Sequence, residues 1–449
     1  MRGFTSLIVL SVVLAGLAAY VYFVESKKPE ESAATPAGPK VFAAVKAEAV
    51  DEITVKSAGG DRTTLKKAGG TWQITAPVTA PADEAEVSGI VTNLATVDIV
   101  RTVEENATDL AQFGLAEPRV EIDFKEAGGK ATQRLLIGDK TATSGDLYAK
   151  LPGDKKVFLI AGSYDTTFNR GTFDLRQKSV LAFERDKVDQ VIVEGGAAPV
   201  ELSRAAGEWK LAKPIQAPAD YGTVEGLIGR VQSAQMKAIT AQEATDLKPY
   251  GLDKPAASIT FGLGSSRATL FIGGKTDAGT VYARDASRPM VFTVDSTLLD
   301  EVKKPTDQLR RKDVFEFRAF NATSVQITRG AETMIFEKAK GPGKDAADVW
   351  RRAKPTVKDV DAAAFDDFLT KLTTLRAQSF VEAGGKTKTG LEAPALVVTV
   401  RFDDGKKEEK VTFGRAGAAV HAAMAGQPGA ATLNAPEFDD VLKAFEAIK

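Results

Sequence analysis

Side chains that most often carry out catalysis are scarce in this chain of 449 residues. It has no cysteine and one histidine, His421. A thiol nucleophile, a disulfide and a cysteine-based zinc site are therefore excluded in this sequence, and a histidine base or metal site has almost no residues to use. Serine and lysine are common, but no local signature supports a Ser–Lys pair. The composition favours a protein that is not an enzyme, and it indicates no catalytic residue, cofactor or metal site.

Three aspartates recur at one phase of the sequence, where they could suggest an acid–base set. Asp83, Asp220 and Asp361 each stand directly before an amphipathic run, so we interpret them as helix N-caps whose carboxylates accept orphan backbone N–H groups. In the first run, Glu86 is predicted to complete a capping box. The apolar positions of the runs have the i, i+3, i+4, i+7 spacing of a helix with one buried face. They are Val87, Ile90, Val91 and Leu94; Val224, Leu227, Ile228 and Val231; and Phe365, Phe368, Leu369 and Leu372.

Two further markers repeat in the same phase. The tryptophans each begin a Trp-x-x-x-x-Pro element, and a Gly-Leu-x-x-Pro element follows each of them. These elements begin at Trp72, Trp209 and Trp350 and at Gly114, Gly251 and Gly390. The chain is therefore predicted to hold three tandem copies of one domain, over residues 41–183, 184–317 and 318–449. We interpret the tryptophans as core residues.

Each copy alternates short β-branched segments with glycine-rich turns. The pattern predicts an α+β domain with about seven short, mostly antiparallel strands and two or three helices, among them a capped amphipathic helix and a closing helix. His421 falls at the position of Tyr148 and Tyr282 in the other copies. We therefore expect it on the surface or on an edge strand.

An uncharged apolar run covers residues 4–24 and is long enough to cross a bilayer as one helix. It predicts a single-pass transmembrane anchor in the inner membrane, with the short N-terminus inside and the body in the periplasm. A cleaved signal peptide is the competing interpretation. Residues 25–40 are polar and contain three prolines, as in a flexible linker.

The charge balance limits the partners. Lys plus Arg number 59, and Asp plus Glu number 60. The chain therefore has no overall positive field that would attract nucleic acid.

The most specific element outside the predicted core closes the first two copies. It is a Leu-Arg-x-Lys segment, and its members are Leu175, Arg176 and Lys178 in the first copy and Leu309, Arg310 and Lys312 in the second. One interpretation is an inter-repeat connector whose basic residues pair with the next domain. The other is a docking surface for a partner, a role to which arginine is well suited.

The chain resembles a bacterial family of unknown function in five elements. These are the Trp-x-x-x-x-Pro element, the capped helix, the Gly-Leu-x-x-Pro element, the Ile-Gly strand ends at Gly138 and Gly273, and the Leu-Arg-x-Lys segment. The third copy departs most, with Lys388-Thr389 before Gly390 and His421 in place of tyrosine. Members of that family carry an N-terminal membrane anchor and repeated domains and are typically encoded beside ABC transporters of the gliding-motility type. The resemblance implies an accessory protein of the cell envelope and supplies no catalytic residues.

The leading hypothesis is a non-enzymatic, membrane-anchored scaffold or interaction protein of the periplasm, accessory to an ABC transporter or another envelope complex. Repeated modules on a tether raise the local concentration of weak binding sites near the membrane. The alternative is a binding module for peptidoglycan or an exported polysaccharide.

Overall fold

A computed structural model describes residues 38–129, 131–341, 348–384 and 387–449. The predicted transmembrane segment 4–24 lies outside these residues, as does most of the linker predicted at 25–40. Within them, no helix combines the length and the apolar character needed to cross a membrane. The chain divides into two compact units between Lys178 and Ser179. The second unit contains both the second and the third predicted repeat, and the repeat boundaries themselves stay predictions.

The first unit contains a nine-stranded antiparallel sheet with the strand order β4-β3-β2-β1-β6-β7-β8-β9-β5. The strands are β1 (Val50–Lys56), β2 (Arg62–Ala68), β3 (Thr71–Ala76), β4 (Ala80–Pro81), β5 (Arg101–Glu104), β6 (Val120–Glu126), β7 (Gln133–Lys140), β8 (Leu147–Lys150) and β9 (Val157–Ile160). The helices are α1 (Glu84–Thr96) and α2 (Tyr164–Phe168).

The second repeat has a sheet of the same size and the equivalent strand order. Its strands are β10 (Gln190–Glu194), β11 (Val200–Ala205), β12 (Glu208–Lys213), β13 (Ala217–Pro218), β14 (Ala238–Ala241), β15 (Ala257–Leu263), β16 (Ser266–Lys275), β17 (Thr280–Asp285) and β18 (Val291–Asp295). Its helices are α3 (Tyr221–Ser233), α4 (Thr297–Val302) and α5 (Thr306–Leu309).

The third repeat has the same sheet again. Its strands are β19 (Ala322–Arg329), β20 (Glu332–Ala339), β21 (Val349–Lys354), β22 (Lys358–Asp359), β23 (Ala377–Val381), β24 (Leu396–Phe402), β25 (Lys407–Ala416), β26 (Ala419–Met424) and β27 (Ala430–Leu433). Its helices are α6 (Ala362–Thr374) and α7 (Ala435–Ala447). Tandem antiparallel sheet domains, as the sequence predicts, are therefore confirmed.

The prediction of about seven strands per copy was too low, because two strands at the sheet edges have weak sequence signals. The β4-type strand has only two residues and includes a proline in the first two repeats. The β5-type strand follows the long helix. It forms the edge of the sheet opposite β4 by pairing with β9. The helix thus carries the chain from one edge of the sheet to the other.

The predicted apolar stripe of each long helix is buried. In the first repeat, Val87, Ile90, Val91 and Leu94 join one core cluster with strand residues such as Ile53 and Leu65. The tryptophans are core residues, as predicted, with Trp72, Trp209 and Trp350 only 3%, 1% and 6% exposed. Burial of apolar side chains between one sheet face and one helix is what holds each repeat together.

The three predicted N-caps are confirmed. The Asp83 carboxylate accepts from the N–H groups of Ala85 and Glu86, and Asp220 and Asp361 accept in the same way from Thr223 and Ala364. The capping box at Glu86 was wrong. The Asp83 N–H donates instead to the carbonyl oxygen of Leu175 at 2.8 Å, and Glu86 pairs with Arg170 at 2.9 Å.

The Gly-Leu-x-x-Pro and Ile-Gly elements pack directly against each other. In the second repeat, Gly251 has a left-handed backbone with φ +63°, which favours glycine. A Cβ atom at Gly273 would lie 2.3 Å from the carbonyl oxygen of Tyr250, so only glycine fits without a backbone shift. The other repeats have the same contact. Two sequence markers therefore describe one point of close backbone approach.

Candidate functional site

The Leu-Arg-x-Lys segment of the first repeat supports the helix of its own repeat. Leu175 is buried in the core, and its carbonyl oxygen accepts the Asp83 N–H at the start of α1. Arg176 pairs with Ala82 in a β-bridge. The Lys178 ammonium lies 2.7 Å from the Asp174 carbonyl oxygen and 3.6 Å from the Asp83 carboxylate.

In the second repeat, the first residues of the Leu-Arg-x-Lys segment make the same contacts as in the first repeat. The segment then continues into the third repeat. Leu309 is buried, and its carbonyl oxygen accepts the Asp220 N–H at 2.8 Å. Arg310 pairs with Ala219 in a β-bridge. The Lys312 carbonyl oxygen accepts the N–H of Ala377, on β23 of the third repeat, at 2.8 Å. Within the second unit, the predicted connector therefore contacts both repeats.

Arg310 has the most unusual environment among the predicted site residues. Its side chain is only 4% exposed, and its guanidinium carbon lies 3.6 Å from the centroid of the Phe380 ring, a cation–π contact. Its Nη2 lies 3.4 Å from the Pro428 carbonyl oxygen, and its Nε has no partner among the described residues. Burial lowers the pKa of Arg310, and Asp307 opposes that shift. Arg310 therefore joins the second repeat to the third.

Three apolar residues after Lys312 pack into the core that the third sheet and its helices form. Val314, Phe315 and Phe317 are buried in that core. The N–H groups of Glu316 and Phe317 donate to the Glu409 carboxylate on β25 at 2.9 Å and 2.8 Å. Burial raises the pKa of Glu409, although the two backbone N–H groups act in the opposite direction.

A cleft of about 550 Å³ lies between the second and third repeats. One wall is the β11–β12–β13 edge of the second repeat, including Lys210 and Leu211. The opposite wall is β25 and the turn after β26, including Glu409 and Lys410, and the connector contributes Arg311. The volume of the cleft lies within the roughly 300–1,000 Å³ range of ligand pockets in proteins.

The charged groups of the cleft are unequally engaged. Glu408 pairs with Arg401 at 2.8 Å, and Glu409 accepts the two backbone N–H groups. Glu316 lies 3.6 Å from Arg311 and 3.4 Å from Lys407. Lys210 and Lys410, by contrast, form no ion pair and no side-chain hydrogen bond within the described ranges. Each carboxylate therefore has at least one partner, whereas two ammonium groups have none among the described residues.

The sequence did not single out Lys210, Arg311, Glu409 or Lys410. One usable signal exists at Glu409. It stands opposite Val400, and the equivalent strand positions in the other repeats are Gln133 and Ala268. Disagreement between the copies could have marked the residue. The cleft itself depends on how two repeats meet, which no pattern within one repeat encodes.

The expectation for His421 was wrong. His421 is 3% exposed and lies on β26, an interior strand between β25 and β27. It is paired with Gly414 and Thr432, and its Nδ1 has no partner among the described residues. In the part of the chain that the structure describes, no group of three or more His, Asp or Glu side chains is placed to hold a metal ion.

Three copies of a nine-stranded antiparallel sheet with a capped crossing helix define a tandem-repeat α+β protein. The model of one family, the Domain of unknown function (DUF4340), matches residues 72–210 and again 209–394. Since these matches cover well over half of the chain, the protein belongs to this family. No curated protein and no solved structure matches the chain.

Proposed function

We propose that this protein is a non-enzymatic interaction protein that binds a partner in the cleft between its second and third repeats. The observation that carries this proposal is the composite wall of the cleft. Neither repeat forms it alone, and the residues that line it include Lys210, Arg311 and Lys410. Ligand sites occur preferentially at domain junctions, where two rigid walls converge.

The proposed setting is the cell envelope. The apolar run at residues 4–24 supports a membrane anchor with the repeats in the periplasm, and the resemblance of the chain supports an accessory role beside an ABC transporter or another envelope complex. A tether would hold the cleft close to membrane partners and raise their effective concentration.

In-cell photocross-linking tests the proposed function. A photoreactive amino acid is placed at Gln216 or Gln427, which line opposite walls of the cleft, and at Lys254 or Lys275 as controls outside it. We expect one shared protein adduct at both cleft positions and none at the controls. Ser203→Trp, which fills the cleft from an exposed strand position, should remove the adduct, whereas Ser266→Trp should leave it.

Two results would contradict the proposal. One is equal cross-linking at cleft and control positions. The other is a cleft adduct that consists of polysaccharide with no protein, which would favour the cell-wall-binding alternative.

A further inference from the structure

Building on the proposed function, we infer that the cleft binds an extended acidic segment of its protein partner, with carboxylates held by Lys210 and Lys410. The lining residues contribute an apolar floor, two ammonium groups without ion pairs and an irregular strand, β12, next to the sheet edge. Each feature selects a different part of such a segment.

The charged groups of the cleft favour a negatively charged ligand. The three carboxylates of the cleft already have partners: Arg401 for Glu408, the backbone N–H groups of residues 316 and 317 for Glu409, and Arg311 with Lys407 for Glu316. An incoming cation would have to share these carboxylates with the cations and N–H groups that they already hold. An incoming carboxylate meets Lys210 and Lys410 without displacing anything, and complementary charge of this kind sets partner choice and association rate.

The floor of the cleft favours a ligand with aliphatic side chains over an inorganic ion. Leu211, Val314, Val411 and Met424 line the cleft with apolar atoms, and each is itself largely buried in the core, with 1–7% exposed. A peptide that alternates acidic and aliphatic residues would place its carboxylates on the lysines and its aliphatic side chains on this floor.

The short edge strand β13 covers only part of β12, and the uncovered part favours an extended main chain. Strand β12 pairs with β13 through only Lys210↔Pro218 and Leu211↔Ala217. The register between β11 and β12 shifts at this point, so Ala212 has no register partner on either neighbouring strand. The part of β12 that β13 leaves unpaired can bond to an added peptide strand, which is a recurrent mode of peptide recognition.

Fluorescence anisotropy on the full-length chain in mild detergent tests this inference. The probe is a fluorescein-labelled octapeptide of alternating Glu and Leu, compared with a peptide in which each Glu is Gln. We expect the Glu peptide to bind and the Gln peptide to bind about tenfold more weakly, since the Gln peptide loses its charge pairs with both exposed lysines at once.

Charge-reversal variants locate the binding. The double variant Lys210→Glu/Lys410→Glu should weaken binding of the Glu peptide about tenfold or more. The matched control Lys254→Glu/Lys275→Glu makes the same net charge change at exposed lysines outside the cleft and should leave binding unchanged. Unchanged tryptophan fluorescence in both variants establishes that the repeats remain folded.

The inference is overturned if the Gln peptide binds as well as the Glu peptide, if the two double variants behave alike, or if only labelled peptidoglycan fragments bind. Its failure is separable from that of the proposed function. Persistent cross-linking at Gln216 without acidic-peptide binding overturns only the acidic ligand. Loss of both results overturns the cleft as a binding site.

Discussion

The second and third repeats share a sheet order, an aspartate cap and a left-handed glycine, yet they are closed in different ways. The second repeat ends in two short helices, α4 and α5, and buries Leu309 beside α3. The third repeat has one 13-residue helix, α7, which packs along α6 and buries Val441 and Phe445. The comparison teaches that the fold tolerates two closing elements, a pair of short helices in the second repeat and one long helix in the third.

The two repeats also differ at the strand that faces the preceding connector. The third repeat places Glu409 there and accepts the connector backbone with it, whereas the second has Ala268 at the equivalent position. A third difference concerns an aromatic pair. Tyr250 and Tyr282 contact edge to face at 5.2 Å in the second repeat, and the third has Thr389 and His421 instead. Each of these differences can be tested with its own substitutions.

Truncation of the closing residues should have the largest effect. Leu309→Ala should lower the free energy of unfolding by about 2–5 kcal/mol and Phe445→Ala by about 3–5 kcal/mol, because each leaves a cavity in a packed core. The reference proteins for chemical denaturation keep one tryptophan, Trp209 or Trp350, with the other two changed to Phe. We expect Leu309→Ala to act on the Trp209 signal and Phe445→Ala on the Trp350 signal.

The control for these truncations is Val357→Ala, at a side chain that is 79% exposed. It should change the free energy of unfolding by less than about 0.5 kcal/mol. If Leu309→Ala has an effect no larger than this control, Leu309 does not close the second repeat.

Much of this fold could be predicted because its signals are local. An aspartate before an i, i+3, i+4, i+7 stripe predicts a capped helix, and Asp83, Asp220 and Asp361 all cap helices. The β5-type strands escaped prediction because four residues such as those of Arg101–Glu104 carry no alternation that identifies a strand. They exist because β9 offers an open edge after the helix has crossed the sheet.

The candidate site was less predictable because its contacts join distant parts of the chain. The sequence marked Arg310, but not the Phe380 ring and the Pro428 carbonyl that enclose it. His421 was expected on the surface or on an edge strand because nothing in a strand pattern reports which neighbours cover an interior strand. Glu409 was visible only as a disagreement between copies, and its role depends on N–H groups 92 and 93 residues earlier in the chain.

Glu409→Ala should have the next largest effect, a loss of about 1–3 kcal/mol in the free energy of unfolding, because two backbone N–H groups lose their acceptor. The Trp350 signal reports it. The reciprocal change in the second repeat, Ala268→Glu, tests whether a carboxylate at this strand position is useful only where a connector presents its N–H groups. A loss below about 0.5 kcal/mol for Glu409→Ala would mean that water satisfies those groups equally well.

The pH dependence of the free energy of unfolding, compared between the wild type and Glu409→Gln, tests the environment of the Glu409 carboxylate. Burial raises the pKa of Glu409, so the folded protein takes up this proton more readily than the unfolded chain. The corresponding stabilisation is fully present below the ordinary glutamate pKa and is lost as pH rises through the raised value. Relative to Glu409→Gln, the wild type should therefore become more stable as pH is lowered through that window. Denaturation curves of both proteins measured across this pH window check the prediction. A stability advantage of the wild type over Glu409→Gln that grew with rising pH would contradict the raised pKa.

The aromatic pair should give the smallest effect. In a double-mutant cycle that imports the third repeat's residues into the second, Tyr250→Thr and Tyr282→His should show a coupling energy of about 0.5–1.5 kcal/mol, the value of an edge-to-face pair beyond its buried area. The Trp209 signal reports it. The matched cycle in the third repeat, Thr389→Ala with His421→Ala, should show almost no coupling, because no aromatic pair exists there to lose. Equal coupling in both cycles would mean that Thr389 and His421 have replaced the tyrosine contact with one of similar strength.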